Sequence, residues 1–85
     1  MVTFEYVITD KAGIHARPAG GLVQASVKLD SSVAMVYEGK EANCKNLLSL
    51  MRLGVKHGSL VEFRVEGDSE EADALVLEAV VTENL

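Results

Sequence analysis

Apolar and polar residues alternate along three stretches of the chain, with the period of two that is typical of a strand buried on one face. The stretches lie at residues 2–8, 33–37 and 61–65. After the second, Glu38-Gly39 has the composition of a tight turn, and residues 40–43 can return as the other arm of a hairpin. The alternation therefore predicts four strands.

Three other stretches place apolar residues at the spacing of a helix. The first runs over residues 16 to 28, with Pro18 in the first turn, where proline is tolerated. Its predicted inner face consists of Ala19, Leu22, Val23, Ser26 and Val27. The second runs over residues 46–53 and ends at Gly54. It is so apolar that we expect part of it to face solvent.

The third helix is predicted after Gly67, where Asp68 or Ser69 can cap it and an acidic first turn suits the helix dipole. Its predicted inner face consists of Ala72, Leu75, Val76, Ala79 and Val80. The order of elements is thus β-α-β-β-α-β-α. Half-buried strands and amphipathic helices predict an α+β, two-layer sandwich in which three helices cover one face of an antiparallel or mixed sheet.

The length and composition of the chain indicate a single domain over residues 1–85, since 48% of the residues are apolar. No apolar run approaches the roughly 18 to 20 residues of a membrane span, and the N-terminus lacks the pattern of a signal peptide. Cys44 is the one cysteine, so no internal disulfide can form. We therefore expect a cytoplasmic protein.

The net charge of −5 argues against broad nucleic-acid binding, which needs a cationic surface. The acidic residues are unevenly distributed, because residues 67–85 contain six of them and no lysine or arginine. The remainder of the chain is close to neutral and can carry a local positive site. The candidates for that site are Arg17, Lys45, Arg52, Lys56 and His57.

The segment GIHARP, residues 13–18, places an imidazole and a guanidinium at the start of the first helix. Unpaired N–H groups and the positive end of the helix dipole attract anions there and disfavour an imidazolium, so we expect a neutral, nucleophilic His15. A phosphoryl group on the ring could be stabilised by the helix N-terminus and by Arg17. Pro18 preserves the first turn, and Gly13 permits a tight bend. The alternative is a histidine that is merely solvated or that caps the helix.

No second catalytic group accompanies His15 in the sequence. There is no local acid–base pair, serine elbow or glycine-rich nucleotide loop, and His57 reads as a loop residue without metal-ligand companions. Cys44 has no neighbouring group to activate it and is predicted to be an inert, buried or half-buried thiol. We therefore expect no metal and no cofactor, and a carrier protein that is not itself an enzyme.

GIHARP resembles the active-site signature of HPr, the histidine-containing phosphocarrier family of the bacterial phosphoenolpyruvate-dependent sugar phosphotransferase system. The YEGK turn, the segment NCKNLLSLMRLGVKHG and the acidic last helix extend the resemblance over essentially all 85 residues. It implies an open-faced β-sandwich with a four-stranded antiparallel sheet. It also implies that His15 accepts a phosphoryl group on Nδ1 from enzyme I and passes it to the IIA domains of sugar permeases, with Arg17 supporting the phosphoryl group.

A carrier of this kind needs a shallow site and weak, transient contacts, which suit a small apolar patch with a basic rim. The residues predicted to contact partners are Ala16, Gly20, Gln24, Lys45, Leu47, Leu48, Met51 and Arg52. Core packing is the alternative for Leu47, Leu48 and Met51 taken singly, but one short helix cannot bury all three. We expect a monomer, although the same patch could support self-association.

The position that opens the second signature departs from the family pattern. Many Gram-positive members have a serine there, phosphorylated by a regulatory kinase, whereas this chain has Asn46. Asn46 cannot take the phosphate but can cap the short helix, and Ser49 is not a matching substitute. Regulation by serine phosphorylation is therefore in doubt. The alternatives to a carrier are an HPr-like regulator that binds a transcription factor or metabolic enzyme, and a small-ligand-binding domain of ferredoxin-like type.

Overall fold

The computed structural model describes all 85 residues and contains four strands and three helices. The strands are β1 (Val2–Val7), β2 (Ser32–Tyr37), β3 (Lys40–Asn43) and β4 (Leu60–Glu66). The helices are α1 (Ala16–Ser26), α2 (Leu47–Met51) and α3 (Glu70–Asn84). This confirms the predicted order of elements. Among the helices, none combines the length and the apolar character needed to cross a membrane.

The strands form one antiparallel sheet in the order β1-β4-β2-β3, so β4 is an inner strand that pairs with both β1 and β2. Phe63 of β4 lies opposite Phe4 on one side and opposite Met35 on the other. The rings of Phe4 and Phe63 stack with 5.1 Å between their centroids. Val61, Phe63 and Val65 are buried, as the alternation predicts. The four-stranded antiparallel sheet implied by the resemblance is confirmed.

The helices lie over one face of the sheet, and one core fills the space between the two layers. Ala19 and Leu22 of α1 are fully buried in it, as predicted. The prediction for Val27 is wrong, because this side chain is 54% exposed. The helix ends at Ser26 and Val27 is its C-cap residue, so the helical spacing that placed Val27 in the core stops short of it.

The predicted inner face of α3 is also wrong. The buried side chains of this helix are Ala74, Leu77 and Val81. The residues predicted to be buried face outward or lie at the boundary: Ala72, Leu75, Val76, Ala79 and Val80. Of these, Leu75 is 71% exposed and Val76 is 50% exposed. Because α3 carries apolar residues around most of its circumference, periodicity alone does not select the face that meets the core.

Two polar contacts near the start of α3 select that face. The Asp73 carboxylate accepts hydrogen bonds from the backbone N–H of Ser31 at 3.1 Å and from its hydroxyl at 2.7 Å. The hydrogen bond from the Ser31 hydroxyl is the main reason that the pKa of Asp73 lies below its usual value. Glu70 pairs with the N-terminal ammonium at 2.7 Å. Because Glu70 and Asp73 must face the body of the protein, Ala74 and Leu77, which share their side of the helix, turn inward.

The short helix α2 begins as predicted, since the side-chain oxygen of Asn46 accepts a hydrogen bond from the backbone N–H of Ser49 at 2.9 Å. It ends at Met51, earlier than the sequence pattern predicts. Cys44, just before α2, is fully buried, and burial raises the pKa of its thiol to about 12. The prediction that this thiol is buried is therefore confirmed.

Candidate functional site

A tight turn precedes α1 and holds the backbone in place ahead of His15. The Asp10 carbonyl accepts a hydrogen bond from the N–H of Gly13 at 2.9 Å, and the Asp10 carboxylate accepts one from the N–H of Ala12 at 2.9 Å. Gly13 has a φ of +72°, and a Cβ there would lie 2.5 Å from the carbonyl oxygen of Val55. Only glycine fits this left-handed conformation and this close approach.

His15 is the N-cap residue of α1 and has an extended backbone, with φ −135°. Its carbonyl accepts the first hydrogen bond of the helix, from the N–H of Ala19 at 3.0 Å. Its side chain makes no capping hydrogen bond, and the N–H groups of Ala16 and Arg17 have no acceptor. Unpaired amides at the positive end of the helix dipole form a place for an anion next to the ring.

Asp10 lies beside the histidine ring. The distance from Nε2 of His15 to the nearer carboxylate oxygen of Asp10 is 3.5 Å, and the two side chains are 37% and 29% exposed. The hydrogen bond from the N–H of Ala12 is the largest cause that holds the pKa of the Asp10 carboxyl below its usual value, and His15 and Arg17 lower this pKa further. Asp10 is therefore an ionised group that faces Nε2, while Nδ1 has no hydrogen-bond partner.

Sequence reasoning missed Asp10, although a signal for it was present. An aspartate followed three residues later by glycine is typical of a turn in which the aspartate side chain accepts a hydrogen bond from the backbone. Asp10 and Gly13 fit this pattern. That pattern predicts the turn, but only the fold shows that the turn brings the carboxylate back to the ring of His15.

Arg17 and Pro18 lie in the first turn of α1, as predicted. Pro18 is buried, whereas Arg17 is exposed and forms no ion pair with any carboxylate. Arg17 lies close enough to Asp10 to lower the pKa of its carboxyl. The structure therefore brings His15, Asp10 and Arg17 together and leaves the guanidinium free to bind another anion.

The residues predicted to contact partners lie mainly on the outer surfaces of α1 and α2, which pack against each other. Leu47, Leu48 and Met51 are 38%, 60% and 40% exposed, which confirms that part of α2 faces solvent. The exposed residues of the set also include Ala16, Gln24 and Arg52, and Gly20 is partly exposed with open space around it.

Lys45 lies apart from this group. Its ammonium donates a hydrogen bond to the carbonyl of Leu29 at 2.8 Å, beyond the C-terminal end of α1, whereas His15 is at the N-terminal end. His57, the second histidine, is exposed in a turn as predicted, and no group of three or more histidine, cysteine, aspartate or glutamate side chains is arranged to hold a metal ion.

Comparison with known proteins gives similarity over nearly the whole chain. The family model of the PTS HPr component phosphorylation site matches residues 2–83. HPr from Thermoanaerobacter tengcongensis is 33% identical, with a TM-score of 0.91 over 99% of this chain and 94% of that chain. The histidine-containing phosphocarrier protein of Mycoplasma is 26% identical, with a TM-score of 0.92 over 96% and 93% of the two chains. Crh of Bacillus subtilis, a catabolite repression protein that forms a domain-swapped dimer, is 33% identical, with a TM-score of 0.77 over 100% and 98%.

Proposed function

Because the chain belongs to the HPr family of phosphotransferase-system phosphocarriers, we propose that it carries a phosphoryl group on Nδ1 of His15. It accepts the group from phosphorylated enzyme I and passes it to the IIA domains of sugar permeases in the cytoplasm. The observation that supports this best is the half-exposed ring of His15 beside unpaired helix amides, with Nε2 facing Asp10 and Nδ1 free. The small-ligand-binding alternative gives no reason for this arrangement.

The transfer step needs a lone pair on Nδ1. Neutral imidazole carries its proton on one nitrogen only, and a carboxylate next to Nε2 favours the proton there. Nδ1 then attacks the phosphorus, the bond between phosphorus and the donor's atom breaks, and a phosphorus–nitrogen bond to His15 forms. The proton stays on Nε2, where Asp10 stabilises it. In transfer to a IIA domain, a nucleophile of that domain attacks the phosphorus, the phosphorus–nitrogen bond breaks, and the electron pair returns to Nδ1 of His15.

The direct test is phosphorylation of the isolated protein. We expect incubation with phosphoenolpyruvate and enzyme I to raise the intact mass by one phosphoryl group, which is lost in acid and survives alkali. An HPr that is phosphorylated by the same enzyme I is the positive control. No mass gain alongside a phosphorylated control would overturn the carrier function and favour a regulatory one.

Arg17→Ala should slow transfer without unfolding the protein. The guanidinium stabilises negative charge on the transferring phosphoryl group, and loss of one such donor costs on the order of 10- to 100-fold in rate at a partly exposed site. Arg17 is exposed and unpaired, so stability should change by less than about 0.5 kcal/mol. Rapid-quench measurement of phosphoryl transfer and urea unfolding check the two parts. Unfolding of the variant would instead show that Arg17 is structural.

Asp10→Asn should change the proton distribution on His15. The amide can still accept from the N–H of Ala12, so the turn persists, but the negative charge facing Nε2 is gone. We expect a smaller share of the Nε2–H form in ¹⁵N NMR of the ring, and transfer slower by roughly 10-fold, as for other groups that orient a histidine. An unchanged ring spectrum would remove Asp10 from the mechanism even if the rate fell.

The lowered pKa of Asp10 also determines how this residue's contribution to folding stability changes with pH. A carboxyl whose pKa is lower in the folded state stabilises that state above its ordinary pKa and loses this contribution as the pH falls through the lowered value. Asp10 is therefore ionised throughout the neutral range in which transfer takes place. Since the Ala12 N–H is the largest cause of the lowered pKa, His15→Ala should raise the Asp10 pKa only part of the way back.

A regulatory role is the second candidate function, since Crh is a structural relative and bears catabolite repression in its name. The serine-dependent form of this role is disfavoured, because residue 46 is an asparagine and has no hydroxyl to phosphorylate. Its side-chain oxygen accepts a hydrogen bond from the backbone N–H of Ser49. We assign the carrier role to this chain for that reason.

We propose a monomer as the active form, although an HPr from Thermoanaerobacter tengcongensis and Crh both form dimers. Gel filtration at micromolar concentration tests this oligomeric state.

A further inference from the structure

The outward face of α3 carries an apolar stripe that no part of the chain covers. Its members share the spacing i, i+3, i+4 and i+7, and they are Ala72, Leu75, Val76 and Ala79. Leu75 is 71% exposed and Val76 is 50% exposed, while Ala74 and Leu77 on the opposite side already anchor the helix to the core. A stripe with this spacing is the contact surface that one helix presents to another.

Carboxylates line one side of this stripe and its C-terminal end. Glu71, Glu78 and Glu83 are exposed on the same helix, and residues 67–85 contain no lysine or arginine. Next to the stripe, Leu75 and Glu78 border a surface depression whose other wall includes Glu5 of β1. The apolar surface is therefore bordered by negative charge from two elements of the fold.

We propose that the outer face of α3 binds an amphipathic helix of a partner protein that carries lysine or arginine along one side of its apolar stripe. The small side chains of Ala72 and Ala79 allow a helix to approach closely, and Leu75 and Val76 supply the apolar contact. Basic residues on the partner meet the carboxylates that border the stripe. This role goes beyond phosphoryl transfer and uses none of the residues assigned to the His15 site.

The same charges disfavour the other occupants of such a face. Two copies that meet through their α3 stripes would bring Glu71 and Glu78 of each chain against carboxylates of the other, with no cation on either α3 to offset the repulsion. A membrane surface rich in anionic lipid would repel the same carboxylates. A cationic helix satisfies both the apolar and the electrostatic character of the surface.

The test is an NMR titration of the ¹⁵N-labelled protein with a synthetic amphipathic helical peptide of leucine and lysine. We expect saturable shifts of the amides of residues 71–83 and binding that weakens as salt is added. Leu75→Gln and Val76→Gln should each weaken binding by roughly 10-fold. Leu60→Gln is the matched control, because Leu60 is a comparably exposed leucine on β4, at 54%, and should bind as the wild type does.

Several results would overturn the proposal. They are the absence of saturable α3 shifts, equal binding by Leu75→Gln, and equal binding of a leucine–glutamate peptide or of a lysine peptide scrambled to remove its apolar stripe. Shifts of α3 amides that depend on protein concentration without peptide would identify the face as a self-association surface instead. Phosphorylation of His15 is a separate assay, so failure here leaves the carrier function intact.

Discussion

His15→Ala is expected to abolish phosphoryl uptake. The intact mass after incubation with phosphoenolpyruvate and enzyme I should remain that of the unmodified chain, because no other side chain combines a nucleophilic nitrogen with the unpaired amides of a helix N-terminus. The fold should persist, since the side chain of His15 is 37% exposed and makes no capping hydrogen bond. Far-ultraviolet circular dichroism and urea unfolding check this second expectation.

His57→Ala is the matched control for that result. His57 is the other histidine of the chain and is exposed in a turn away from any helix N-terminus. This variant should gain one phosphoryl group at the rate of the wild type. Uptake that survives in His15→Ala but is lost in His57→Ala would transfer the carrier role to His57 and refute the proposed site.

Leu77→Ala is expected to destabilise the protein by about 2 to 5 kcal/mol, the largest effect on stability that we predict. Leu77 is completely buried between α3 and the sheet, so truncation removes apolar contacts and leaves a cavity. In a chain of this size such a loss is a large fraction of the total stability. Urea unfolding followed by circular dichroism measures it directly.

Leu75→Ala on the same helix is the control. Leu75 is 71% exposed, so this change should alter the free energy of unfolding by no more than about 0.5 kcal/mol. Periodicity alone places Leu75, and not Leu77, on the buried face of α3, so it predicts the opposite result for these two substitutions. If Leu75→Ala proved the more damaging substitution, the orientation of α3 about its axis would be wrong, and with it the outward stripe proposed as a binding surface.

The strands could be predicted from the sequence because their two faces meet different surroundings. Val61, Phe63 and Val65 meet the helices, while the residues between them face outward, so the alternation carries the information. The orientation of α3 could not be predicted in this way, because apolar residues lie around most of its circumference. That choice depends on Asp73 and Ser31, which are 42 residues apart in the chain.

The candidate site divides in a similar way. His15, Arg17 and Pro18 are adjacent in sequence, so local spacing already places them at one helix start. Asp10 reaches the ring only because the chain reverses at Gly13, and the sequence contains no direct sign of this contact. Lys45 is predicted from the sequence to lie at the site, but its side chain extends to the carbonyl of Leu29 instead. The position of a lysine in the sequence does not show in which direction its side chain points.

The close approach of Gly13 to Val55 ties the reactive ring to the middle of the protein. Both ends of the segment before α1 are hydrogen-bonded to the loop that leads into β4. The N–H of Ile8 donates to the carbonyl of Ser59 at 2.9 Å, and the N–H of Ile14 donates to the carbonyl of Val55 at 3.0 Å. Since β4 is an inner strand, held by hydrogen bonds on both sides, it fixes the position of the segment that carries the imidazole. Substitutions in the edge strand β3 should therefore leave the nucleophile in place, whereas any side chain introduced at residue 13 would displace it.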